Sequence, residues 1–123
     1  MKVPGKKSEF ENKQIPDDFY QCEIGKVELR TNENSKSSEK RYWLVHVKAP
    51  DGSPEGATLV FPMGLYPTDD AKSTHGKLVA AMYGKFEVGK DYDTDDYIGK
   101  RVNIFWMWNE KDKRMVASVF KKA

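Results

Sequence analysis

The chain has one cysteine, two histidines and no long apolar run. A lone Cys22 can form no internal disulfide, and in its alternating apolar surroundings a small buried hydrophobe would serve as well, so a reducing compartment is expected. So few histidines and cysteines do not make a four-ligand zinc site, and neither HExxH nor paired CxxC spacing occurs. Glycines 52, 56, 64, 76, 84, 89 and 99 are dispersed, and none belongs to a GxGxxG or GxxxxGK[ST] phosphate loop. No segment approaches the roughly 20 apolar residues that span a bilayer, and MKVPGKKSEFENKQ has no signal-type apolar core; a cytoplasmic protein without a membrane partner is expected. Nothing local to Cys22 suggests the electropositive, accessible setting that a nucleophile assisted by His46 or His75 needs. The acids Asp91, Asp93, Asp95 and Asp96 lack the glycine and terminal glutamate of an EF-hand loop and read as turn and capping residues. The expectation is a protein that binds, is not an enzyme, and uses neither metal nor cofactor.

At 123 residues the chain suits one domain that can bury a core unaided. Residues 1 to 16, polar and lysine-rich with Pro4 and Pro16, read as a flexible arm, and residues 17 to 123 as a single folded domain. The net charge of +2 is too small to identify a partner, but its distribution is uneven. Residues 26 to 49 hold six Lys/Arg against three Asp/Glu, residues 50 to 98 four against nine, and residues 99 to 123 seven against two. If the two basic segments meet in space, they form a positive stripe.

The fold is expected to begin near Phe19, where Tyr20, Cys22 and Ile24 alternate with polar residues. Val27 and Leu29 continue the pattern after a phase change near Gly25 that suggests a bulge. TNENSKSSEK (31 to 40) has the composition of an exposed, mobile hairpin loop. RYWLVHVKA places Trp43, Val45 and Val47 on one face of a second strand and Tyr42, Leu44 and His46 on the other, with the turn Pro50-Asp51-Gly52 after it. ATLVFPMGLY is a third strand, in which Pro62 implies an edge, a bulge or an early end. STHGKLVAAMYG predicts a short helix capped by Ser73 and stopped at Gly84, despite Gly76. DYDTDDYIGK reads as a capped turn or short helix, and KRVNIFWMW and MVASVF as two more strands joined by NEKDKR. The fold class expected is therefore mainly β: a five-stranded OB-fold-like antiparallel barrel with one short α-helix between strands 3 and 4.

Aromatic residues interleaved with cations are the feature left to carry function. Period 2 separates Phe105 and Met107 from Trp106 and Trp108 on the fourth strand. Tyr42 and Phe105 are the expected exposed aromatics, and Trp43 and Trp106 the expected core. An open aromatic row would stack bases while neighbouring cations follow phosphates. The expected interface comprises Tyr42, Phe105 and Trp108 for stacking, Lys36, Lys40, Arg41, Lys100, Arg101 and Arg114 for phosphate, and His46 beside Tyr42. The competing expectation is a protein-interaction module that buries its aromatic and methionine face against a partner.

FYQCEIGKVEL, YWLVHVKAPDG with EGATLVF, HGKLVAAMYG and DDYIGKRVNIFW together resemble a family of small phage-encoded OB-fold single-stranded-DNA-binding proteins of replication and recombination. The resemblance spans about residues 17 to 120. It implies that the strands Tyr42 to Val47 and Lys100 to Trp108 line a groove, and it implies no catalytic residue. The expected partner is single-stranded DNA, bound largely without sequence preference, with RNA as the other nucleic-acid candidate. Replication or recombination proteins are further candidates, although the chain ends VFKKA and not in the acidic tail by which many such proteins recruit others. A homodimer through an edge strand such as the one holding Pro62 is the assembly considered.

Overall fold

The structure, a computed structural model, describes residues 2–3, 14–48 and 59–123. Five strands, β1 (Asp18–Thr31), β2 (Arg41–Lys48), β3 (Leu59–Gly64), β4 (Arg101–Asn109) and β5 (Arg114–Lys122), form one antiparallel sheet in the order β3-β2-β1-β4-β5. The sheet curls strongly into a half-barrel. A single α-helix, α1 (Thr74–Tyr83), lies between β3 and β4 and packs against β3, β4 and β5. This is the expected OB-like architecture, with the first strand shared between two halves of the sheet. Among the described residues β3 and β5 approach each other without forming a ladder, so the seam between them is held by side chains such as the edge-to-face pair Phe61 and Phe120.

The length of β1 follows from its bulge. Its N-terminal part pairs with β4, from Asp18 opposite Trp106 to Glu23 opposite Arg101. Its C-terminal part pairs with β2, and the register shifts between Ile24 and Lys26, at the phase change read near Gly25. The shift lets Cys22 and Ile24 on one side, and Val27 on the other, all contact the core. Gly99 and Lys100 anchor the bulge: the Ile24 carbonyl accepts from the Gly99 amide at 2.8 Å, and the Lys100 carbonyl accepts from the Ile24 amide at 2.9 Å. Gly99 makes that approach at φ 89°, a conformation glycine adopts without a side-chain penalty.

The helix has the predicted limits. Ser73 accepts from the Gly76 amide at 3.0 Å, and Gly84 ends the helix in the left-handed conformation at φ 85°. A 3-10 turn over Thr94–Tyr97 follows, capped by Asp93, whose carboxylate accepts from the Asp95 amide at 2.9 Å. Asp93 is thus the capping acid that the sequence suggested. Pro62 lies in β3, an edge strand, where its missing donor is tolerated. Ile15, at the close of the segment read as an arm, is only 1% exposed and belongs to the core. The turn Pro50-Asp51-Gly52, the start of the third strand at Ala57 and Thr58, and most of the arm lie outside the described residues.

The core fills the concave side of the sheet. Val45 and Val47 on β2, Val102, Ile104 and Trp106 on β4, and Leu78 and Val79 on α1 are buried together. At Cys22 burial pushes the thiol's pKa up, and the sulfur receives the Trp106 indole N–H at 3.4 Å. The histidines bond elsewhere, His75 to Gly64 and Tyr97 and His46 to Glu28, so Cys22 lacks both the exposure and the base of a nucleophile. No described helix is long and apolar enough to cross a membrane.

Candidate functional site

Because side chains alternate along a strand, the residues opposite the core share the convex face of the sheet. On the β1–β2–β3 half these are Arg30, Tyr42 and Gly64 in one row, Glu28, Leu44 and Pro62 in the next, and Lys26, His46 and Val60 in the third. Tyr42, Leu44, Val60 and Pro62 floor a groove of about 340 Å³. Its walls come from the β1–β2 loop, through Ser35, Glu39 and Lys40, and from Arg41 and Arg114. Arg114 reaches it because β5 begins beside β3, across the open seam.

The loop is ordered by its own polar side chains. Asn32 and Lys40 close it through a 2.8 Å backbone bond, while Asn32 Oδ1 accepts from Asn34 and Ser35 Oγ from Ser37. Glu39 takes two hydrogen bonds from the Arg41 guanidinium, at 2.9 and 3.1 Å, and one from the Arg41 amide at 3.0 Å. These contacts hold the Glu39 carboxyl down to about 2, so Arg41 is compensated by a fixed carboxylate. Among the described residues Lys40 donates only to the neutral Glu33 carbonyl, at 3.3 Å. Arg114 meets Asp112 loosely, at 3.8 Å. Among the described residues Lys40 is therefore the groove cation with no carboxylate within 4.0 Å, Arg114 is partly compensated by Asp112, and Lys36 stands exposed on the same loop.

The ten residues expected from sequence do not form one surface. Lys40, Arg41, Tyr42 and Arg114 meet in the groove, with Lys36 on the loop above it. His46 lies further along the same convex face, where its Nε2 is 3.1 Å from Glu28; Arg30 holds that carboxylate at 2.9 Å, and together they keep its pKa below the usual range. Phe105 and Arg101 belong to the other half of the convex face, opposite Phe19 and Glu23. Phe19 and Arg30 sit near opposite ends of β1, which at roughly 3.3 Å per residue sets Phe105 some tens of ångströms from Tyr42. Trp108 is turned inward against the core with Trp106, so it does not join Phe105. Lys100 places its ammonium 4.9 Å over the Tyr83 ring, at the end of α1.

Leu44, Val60 and Pro62 were missed as groove residues, although the alternation of the second strand already put Leu44 on Tyr42's face. Phe19 was missed too. It packs edge to face with Phe105 at 5.1 Å, under the Lys121 ammonium at 4.7 Å, and with Met107 and Val119 it makes a second exposed apolar patch. Compared by sequence, the chain matches no protein-family model and no curated protein.

Proposed function

We propose that the protein binds single-stranded nucleic acid, most readily DNA, across the Tyr42 groove. The observation that carries this reading is an aromatic and aliphatic floor on strands β2 and β3 walled by a polar loop, with Lys40 meeting no carboxylate within 4.0 Å among the described residues and Arg114 meeting Asp112 only loosely, at 3.8 Å. Such a floor stacks bases of any sequence, and such cations follow the phosphates. An OB-like sheet offers this same face to oligonucleotides, and the resemblance of residues 17 to 120 to phage single-strand binders favours DNA and a role in phage replication or recombination. Fold likeness alone would not assign the function, and the groove chemistry supplies the rest.

The test is fluorescence anisotropy of end-labelled oligo-dT, because none of the three tryptophans lines the groove. Tyr42→Ala should weaken binding by about 1–3 kcal/mol, the usual loss for one stacked base, while Phe105→Ala leaves it unchanged. No binding at low salt would end the nucleic-acid reading. The second reading, a protein-interaction module, is favoured by the patch of exposed Phe19, Met107 and Val119 around the half-buried Phe105. It would gain if Phe105→Ala abolished capture of a partner protein and oligo-dT did not bind.

A further inference from the structure

On another part of the surface two clefts, of about 680 and 580 Å³, share Tyr66, Pro67, Asp91 and Tyr92 and so form one trough. Trp43 and Leu65 extend its apolar floor, and Tyr66 stands 68% exposed within it. An aromatic surface that open is unusual without a ligand or partner. Asp91, Asp93, Asp95 and Asp96 crowd one wall, and among the described residues none of these carboxylates meets a Lys or Arg within 4.0 Å. The trough's own cations are already engaged. Arg41 is bound by Glu39, and Lys90 lies 3.8 Å from Glu87 and 5.5 Å over the Tyr92 ring. Tyr92 and Tyr83 each take a lysine ammonium on a ring face, the contact an incoming cation would make with Tyr66.

We propose that this trough docks a lysine- or arginine-rich segment of a partner protein, its aliphatic stems lying on Trp43, Tyr66 and Pro67 and its charges facing the aspartates. Charge complementarity selects the occupant, since a nucleic acid would be repelled by four unpaired carboxylates and an acidic peptide likewise. The inference does not depend on nucleic-acid binding in the Tyr42 groove. The two sites meet at Arg41, which borders both.

The experiment titrates the full chain, by calorimetry at low salt, with a synthetic peptide of alternating lysine and leucine, against a glutamate–leucine control. The cationic peptide should bind saturably and the control should not. Combined Asp91→Asn, Asp95→Asn and Asp96→Asn substitutions keep the Asp93 cap and should weaken binding by about tenfold, in line with the loss of several surface charge contacts. Tyr66→Ser, at a position too exposed to affect folding, should weaken it independently. Failure of the lysine peptide to bind, or unchanged binding by either variant, overturns the proposal.

Discussion

His75 shows how one side chain can join three elements. It is buried at the start of α1, with Nδ1 2.8 Å from the Gly64 carbonyl at the end of β3 and Nε2 2.8 Å from the Tyr97 hydroxyl in the 3-10 turn. A carbonyl only accepts, so Nδ1 carries the proton and Nε2 accepts from Tyr97. Burial lowers the His75 pKa and raises that of the Tyr97 phenol well above its usual value. A depressed histidine pKa means that the unfolded chain binds the proton more readily. Stability from His75 is therefore full above the unfolded value of about 6.5 and falls as the pH drops below it. Thermal melts at pH 7.5 and 5.5 should show a drop in Tm that is smaller in His75→Gln, even though that variant is less stable overall. Equal drops in both proteins would assign the acid sensitivity elsewhere. The core makes a simpler claim: Trp106→Ala should cost about 3–5 kcal/mol in chemical denaturation, whereas Tyr42→Ala should cost much less.

Helix α1 shows what the sequence could and could not convey at the scale of an element. Ser73 and Gly84 marked its ends because capping is local chemistry, written in the residues that perform it. Gly76 looked like a defect in the same segment, since glycine disfavours a helix interior by about 1 kcal/mol relative to alanine. Its reason is tertiary: a Cβ there would lie 2.0 Å from the Thr68 carbonyl oxygen, where the chain from β3 crosses the helix. Gly76→Ala should thus destabilise the protein, by about 2 kcal/mol or more in a denaturant melt, against the direction of helix propensity. A neutral or stabilising result would mean that the crossing chain yields easily. The strands were legible for a similar reason, because period-2 alternation distinguishes two faces. Alternation does not say how far apart two strands' outward faces lie once the sheet curls, and so Phe105 and Tyr42 were read as neighbours although β1 separates them. Trp108 was misplaced by its residue type; its own alternation with Phe105 already pointed it inward.

At the scale of the whole molecule, the uneven charge of the sequence becomes a division of surfaces. The basic segments do meet, through Lys40 and Arg41 from one and Arg114 from the other, because the curl brings the start of β5 to the β3 edge. The acidic middle segment provides the Asp91–Asp96 wall of the trough. Only part of the basic count is available to a polyanion, since Arg41 is tied to Glu39, Arg30 to Glu28 and Lys48 to Glu23. For a single strand, each phosphate contact contributes about −0.7 to the slope of log affinity against log salt, so Lys36, Lys40 and Arg114 together predict a slope of about −2. Anisotropy titrations over a salt series should give that modest slope for oligo-dT, and Arg114→Ala should lessen it by about 0.7. Arg101→Ala should leave it unchanged, since Arg101 lies beside Glu23 on the other half of the sheet. If Arg101→Ala lessens the slope as much as Arg114→Ala, the strand does not stop at the groove: it continues over β1 to the Phe105 half, and the two halves of the convex face act as one binding surface.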